Sequence, residues 1–285
     1  MSDYEHLRYE QDGPVTVITI DRPERMNAIG PQTHAELVAA WDRFREDDDA
    51  LVGVMTGGGE DAFCAGGDLK AAFAGEPVIP LTRAELDAHA RGERPGVLGP
   101  SRWTDLHKPT IAAVNGVAYA GGLEWVCWTD MAIADEHATF GVTCRRWNIG
   151  LADGGTQRLP RIVGYRRAME LIITGRVIDA GEALRIGLVN AVVPSGTCRN
   201  RAVDLGHRVA ALPQPAIRTD HEAVVRGFGR PLDAGLRIEA ECFNRLLDSP
   251  EILEGLRRFN ERDHPDRDGS ADALTPGISR PRSAG

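Results

Sequence analysis

The stretch Lys108–Asp130 constrains the fold most, because it sets a buried strand, a glycine turn and a glycine-opened helix in immediate succession. Thr110–Val114 is a short apolar run bounded by turn residues, which reads as a buried strand. Asn115-Gly116 turns the chain, a second short run follows, and Gly121-Gly122 opens a helix. On that helix Glu124 stands among Leu123, Trp125, Val126, Cys127 and Trp128. Two glycines at a helix start let the backbone approach a ligand, and the free amides there favour negative charge. A carboxylate with apolar neighbours is expected to have a raised pKa, suited to proton transfer near neutral pH. The plainer alternative is a glycine-capped core helix whose Glu124 reaches solvent.

The same order occurs once before. Leu51–Thr56 is a buried strand ending in Gly57-Gly58-Gly59, and Ala62–Lys70 is a glycine loop entering a helix near Asp68. Its Gly66-Gly67 pair is the physical counterpart of Gly121-Gly122. Ahead of it, Leu7–Tyr9 and Val15–Ile20 flank a hairpin signal, and Pro31 starts a helix with Leu37, Val38, Trp41 and Phe44 on one face. Residues 75–100 mix Pro, Gly and charge and read as a mobile surface excursion bordering a cleft. Beyond the organising stretch come extended runs at 131–134 and 138–142, and helices at 156–163, 165–174 and 180–186. A strand at 188–193 ends this mixed region.

From Thr197 the pattern turns wholly helical, at 197–211, 215–227, 232–247 and 250–262. The expected organisation is therefore an α/β core over 1–195, a helical segment over 196–262 and a disordered tail over 263–285. Leu236, Ala240, Phe243 and Leu247 form one stripe, suited to docking on the core or on a neighbour.

Charge and cysteine content narrow the function. A net charge of -9 argues against general nucleic-acid or anionic-membrane binding. No apolar run reaches the roughly 20 residues of a membrane span, and the polar start shows no signal-peptide core. Cys64, Cys127, Cys144, Cys198 and Cys242 lack disulfide or metal spacing, which fits a reducing cytoplasm and no metal centre.

Four motifs carry a family resemblance: Asp21-Arg-Pro-Glu-Arg-Met-Asn-Ala28, Phe63-Cys-Ala-Gly-Gly-Asp-Leu-Lys70, Ala120-Gly-Gly-Leu-Glu124 and Gly154-Gly-Thr-Gln-Arg-Leu-Pro160. In this order and spacing the chain resembles the enoyl-CoA hydratase/isomerase (crotonase) superfamily over about residues 5–262. The resemblance implies a crotonase-like ββα spiral with C-terminal helices that build a trimer or a dimer of trimers. It implies an acyl-CoA thioester as substrate, with coenzyme A as part of that substrate and no separate cofactor. The Gly67 and Gly121 amides would form an oxyanion hole for the enolate oxygen. Arg25, Ala28, Ala65, Asp68, Leu69 and Lys70 would line the path of CoA, and Phe259 would contact it, often from a neighbouring subunit.

Glu124 matches the first of the two hydratase glutamates, and the position of the second is Cys144. A thiol with an ordinary pKa is mostly protonated at neutral pH and replaces a carboxylate poorly, unless Arg145 and Arg146 lower it. Gly150-Leu-Ala-Asp153 resembles the loop that carries an acid/base aspartate in the dienoyl-CoA isomerase branch, so Asp153 is the expected second acid/base. Its plainer role is to cap the following helix. Hydration of an enoyl-CoA leads. Double-bond isomerisation, thioester hydrolysis or dehalogenation, and acyl-CoA binding without catalysis stay open. His34, His89, His107, His207 and His221 are expected at the surface or in caps, and Trp41, Trp125 and Trp128 in the core.

Overall fold

A computed structural model describes residues 4–75, 83–93, 95–247 and 249–260. Strands β1 (Leu7–Asp12) and β2 (Val15–Ile20) pair antiparallel from Leu7↔Ile20 to Asp12↔Val15. Pro31 sits in the first turn of helix α1 (Pro31–Glu46), where its missing N–H costs nothing, and the helix buries Leu37, Ala40, Trp41 and Phe44. The chain then enters β3 (Val52–Gly57), β4 (Ala62–Cys64), α2 (Leu69–Phe73) and α3 (Arg83–Ala90). The organising stretch supplies β5 (Thr110–Val114), β6 (Val117–Tyr119) and α4 (Gly121–Trp128), followed by β7 (Met131–Asp135) and β8 (Thr139–Gly141).

These strands build two sheets. β1-β2-β3-β5-β7-β10 form the larger, with β10 at Ala191–Val193, and β4-β6-β8-β9 the smaller, with β9 at Val177–Asp179. The pairs β2–β3, β3–β5 and β5–β7 are parallel, and so are β4–β6 and β6–β8. Three times the chain runs up the large sheet and then lays a short strand in the small one, at β3–β4, β5–β6 and β7–β8. This is the ββα spiral expected from the motifs. All six residues of β2 and of β3 are buried, as strands covered on both faces require.

One core lies between the sheets around Trp41, Phe44, Phe63, Trp125 and Phe140. Trp41 stacks on Trp125 at 6.2 Å and meets Trp128 edge-on at 4.9 Å, so these indoles serve packing. Helices α5 (Gly155–Val163), α6 (Tyr165–Thr174) and α7 (Ala180–Arg185) complete the mixed region. On the outer face of the large sheet, Val15, Val52, Val54 and Ile111 pack against Cys198, Ala202 and Leu205 of α8 (Cys198–Ala210). The first helix of the C-terminal segment is thus a cover for the sheet. Helices α9 (Gln214–Gly227) and α10 (Leu232–Leu247) pack on each other, and α11 (Glu251–Asn260) follows.

Three expectations change. The strand at 188–193 shrinks to Ala191–Val193: Leu188 and Val189 are buried, but only the later residues pair with β7. Strand β9 was not anticipated, because three residues carry too short a pattern to read. The excursion at 75–100 ends in a packed segment, with Leu98 at 5% exposure and Ser101 at 0%. The tail at 263–285 lies outside the described residues. On α10, Leu236, Phe243 and Leu247 are about half exposed in the single chain.

Candidate active site

Two backbone turns define the site. Gly66 has φ 96° and Ala120 has φ 49°, and each immediately precedes one of the expected donors, Gly67 and Gly121. A positive φ at alanine is an uncommon, strained state, of the kind that collects at functional sites. Among the described residues, neither the Gly67 nor the Gly121 amide has a hydrogen-bond partner. The two turns touch, since a methyl placed on Gly66 would lie 3.0 Å from the Gly121 nitrogen. Gly122 is needed for the same close fit: a methyl there would fall 1.9 Å from the Cys64 carbonyl oxygen.

The Gly67 turn is pinned from below. Ile29 donates to Gly66 O at 2.8 Å, and the Asp68 amide donates to Ile29 O at 2.9 Å. Asp68 caps α2 through Ala71 N at 3.1 Å and holds a buried ion pair with Arg22 at 3.2 Å. Burial opposes charge on Asp68, but the Ala71 amide and the Arg22 guanidinium outweigh it and hold its pKa below the usual range. Arg22 also donates to Ala28 O at 2.6 Å. Arg22 lies within the first motif but has no role in the sequence reading, because its partner Asp68 is 46 residues away.

Glu124 is 3% exposed on the first turn of α4. Its Oε1 accepts the amides of Asp153 at 2.9 Å and Gly155 at 2.8 Å. Both bonds fall on Oε1, which leaves Oε2 as the oxygen free to exchange a proton. Burial first, and then the charge of Asp153, push the Glu124 carboxyl up to about 7, against the lowering effect of the backbone amides. A carboxyl in that range is chemically suited to taking up and returning a proton near neutral pH.

Asp153 is brought next to Glu124, but through its backbone. Its side chain does not cap α5; that place is taken by Gly154 with φ 102°. Instead Oδ1 accepts the amides of Val97 at 2.8 Å and Leu98 at 3.0 Å, together with the hydroxyl of Ser101. Arg158 braces the same segment, donating to Ser101 O at 2.6 Å, Asp153 O at 3.1 Å and Trp103 O at 3.3 Å. Leu98, Ser101 and Arg158 were missed because one irregular stretch and a shared motif hid their partners.

Cys144 is buried, and burial raises its thiol pKa despite the neighbouring Arg145. The Arg145 guanidinium is spent on Ile172 O and Ile149 O. Ala28 is buried and Ala65 half-buried beside the Gly67 turn, while Arg25, Leu69 and Lys70 are exposed at its rim. Phe259 is 71% exposed on α11, which packs extensively on no other element among the described residues.

Against the Ala152–Gly154 loop, a cavity of about 1020 Å³ opens between α9 and α4 and α5, lined also by Trp128, Asp130, Arg158, His221 and Phe228. The expectation of surface histidines fails there. His221 bonds Asp130 at 2.7 Å and lies 3.3 Å from His107. Among the described residues there is no cluster able to hold a metal ion, and no helix long and apolar enough to cross a membrane.

A sequence model of the enoyl-CoA hydratase/isomerase family matches residues 10–269. The chain is 34% identical to (E)-benzylidenesuccinyl-CoA hydratase of Thauera aromatica, over 90% of this chain and 96% of that protein. It is also 34% identical to short-chain-enoyl-CoA hydratase of Clostridium acetobutylicum, over 89% and 94% respectively. Among solved structures, an enoyl-CoA hydratase from Mycobacterium tuberculosis superposes with a TM-score of 0.81 at 31% identity, covering 90% of this chain and 96% of that one.

Proposed function

The chain belongs to the enoyl-CoA hydratase/isomerase family, and from that premise we propose that it adds water reversibly to the double bond of an enoyl-CoA. The observation that carries this reading is the pair of unpaired amides at Gly67 and Gly121, each turned out of its loop by a positive φ in the residue before it. In the proposal the thioester oxygen sits on both amides, where negative charge develops as the enolate forms. Loss of such a donor costs on the order of 3–4 kcal/mol of transition-state stabilisation.

Glu124 is the acid/base. As carboxylate, Oε2 takes a proton from water as the oxygen attacks the β-carbon; as carboxylic acid, it returns a proton to the α-carbon of the enolate. One group serves both steps because its pKa lies near 7. Asp153 supports it, giving its amide to Oε1 and its charge to the local field. Coenzyme A is part of the substrate and no further cofactor takes part. Lys70 and Arg25 at the rim suit the CoA phosphates.

A second reading is favoured by Cys144. A buried thiol held in its protonated form cannot activate water, and isomerisation needs only a proton shuttle. Incubating a panel of enoyl-CoAs in deuterated solvent separates the two. Hydration yields a 3-hydroxyacyl-CoA labelled at the α-carbon, isomerisation a shifted double bond. Absence of turnover across the panel defeats both and leaves acyl-CoA binding without chemistry.

The assembly in this proposal is a homotrimer or a dimer of trimers in a reducing cytoplasm. It is supported by the exposed apolar side chains of α10 and α11, among them Leu253 at 68% and Phe259 at 71%, and by five free buried thiols. Light scattering on the purified protein tests it.

A further inference from the structure

The segment Val97–Ser101 is a built wall. Asp153 Oδ1 gathers the amides of Val97 and Leu98 and the Ser101 hydroxyl. On the other side of the same peptides, Leu98 O accepts the indole N–H of Trp125 at 3.0 Å, and the Gly99 amide lies 2.9 Å from His34 Nδ1. Gly96, at φ 155°, lets the loop close on the carboxylate; a methyl there would stand 2.8 Å from Asp153 Oδ1 and 2.6 Å from the Ser101 hydroxyl. Shifting Leu98 would strip several buried polar groups of partners at once, and that is the costly way to move a loop.

The wall faces the reacting centre. The Leu98 side chain lies so close to Gly121 that a methyl on that glycine would fall 1.9 Å from Leu98 Cδ1. Leu98 therefore flanks the Gly121 donor. Across from it, Glu124 Cγ and Leu151 Cδ1 crowd Gly155, at 2.8 Å and 3.0 Å from where a methyl on that residue would sit.

We propose that Asp153 is a positioning residue that fixes Leu98 as the end wall of the acyl site, so that the enzyme selects short acyl thioesters and Leu98 sets the limit. The inference rests on the assignment of Gly121 as a thioester donor. It gives Asp153 a task distinct from proton transfer, carried by Oδ1, which takes all three donors.

Binding and turnover are measured separately. Saturated butanoyl-, octanoyl- and dodecanoyl-CoA are titrated into the full-length protein by calorimetry, and enoyl-CoAs of the same lengths are assayed for turnover. The wild type should prefer butanoyl-CoA, and Leu98→Ala should move the octanoyl-to-butanoyl affinity ratio by about tenfold or more, the worth of a methylene or two in a fitted pocket. Asp153→Ala, which removes the acceptor of the Val97, Leu98 and Ser101 donors, and Ser101→Ala should shift the ratio the same way; Ser101→Ala carries this arm if Asp153→Ala folds poorly. A ratio unchanged in Leu98→Ala overturns the proposal. So does an Asp153→Ala protein that loses turnover at every length while its binding ratio stays at the wild-type value. Length-dependent binding without any turnover upholds the wall and defeats the hydratase reading. Turnover with no length preference does the reverse, and no binding of any acyl-CoA overturns both.

Discussion

Glu124 and Asp153 are joined through the main chain: the Asp153 amide donates to Glu124 Oε1 at 2.9 Å, while the Asp153 carboxylate turns away to Val97 and Leu98. Two carboxylates thus share one neighbourhood with different partners, and several outcomes of the proposed roles can be measured.

Glu124→Gln should lower turnover by about a hundredfold or more, the usual scale for losing a general acid/base. The amide keeps an oxygen for the Asp153 and Gly155 N–H groups, so acyl-CoA affinity should change little. Calorimetry beside steady-state kinetics checks both halves, and full activity in the variant would remove Glu124 from its assigned role.

In the wild type, kcat/KM for an enoyl-CoA should rise with pH through a limb near 7, because both hydration and isomerisation start from the Glu124 carboxylate. A profile flat from pH 5 to pH 8 would contradict that requirement.

Stability should show the same group with the opposite sense. The folded-state pKa of about 7 exceeds the ordinary 4.5, so the folded protein binds the extra proton between these values. Its contribution is complete below about 4.5 and lost as pH rises through 7, a cost of about 3 kcal/mol on the scale of 1.36 kcal/mol per pKa unit. Glu124→Gln escapes this cost. Thermal melts should find the variant more stable than the wild type at pH 8, with the gap closing toward pH 5.

Arg22→Met should destabilise by about 3–5 kcal/mol, since it leaves Asp68 as an uncompensated buried charge. Because Asp68 directly follows Gly67, turnover should fall beyond what the loss of folded protein explains. Denaturant titration with kinetics on the folded fraction tests this.

Cys144→Ser should keep activity within a few-fold, because burial holds the thiol protonated and leaves it little chemistry to lose. A hundredfold loss would show that the sulfur takes part.

The elements with strong local patterns were legible in the sequence. Val15–Ile20 read as one arm of a hairpin from its β-branched residues beside the Asp12-Gly13-Pro14 turn, Thr110–Val114 as a buried strand from its short apolar run, and Pro31 announced α1. Glu124 could be singled out because a lone carboxylate among tryptophans is conspicuous. Leu98 and Ser101 could not, since their importance comes from Asp153, more than fifty residues away, and no local pattern encodes a contact of that range. The His107–His221–Asp130 cluster was hidden for the same reason: it forms only when α9 folds back on the core.

In the proposed reading, Ala120 and Gly66 place the polar edge of the pocket in the backbone itself. Charge stabilisation written in torsion angles does not depend on which side chains surround it. Variation that rebuilds the pocket lining can therefore redirect the protein to new acyl groups while the anion-binding feature survives intact, provided no β-branched residue takes the place of Ala120.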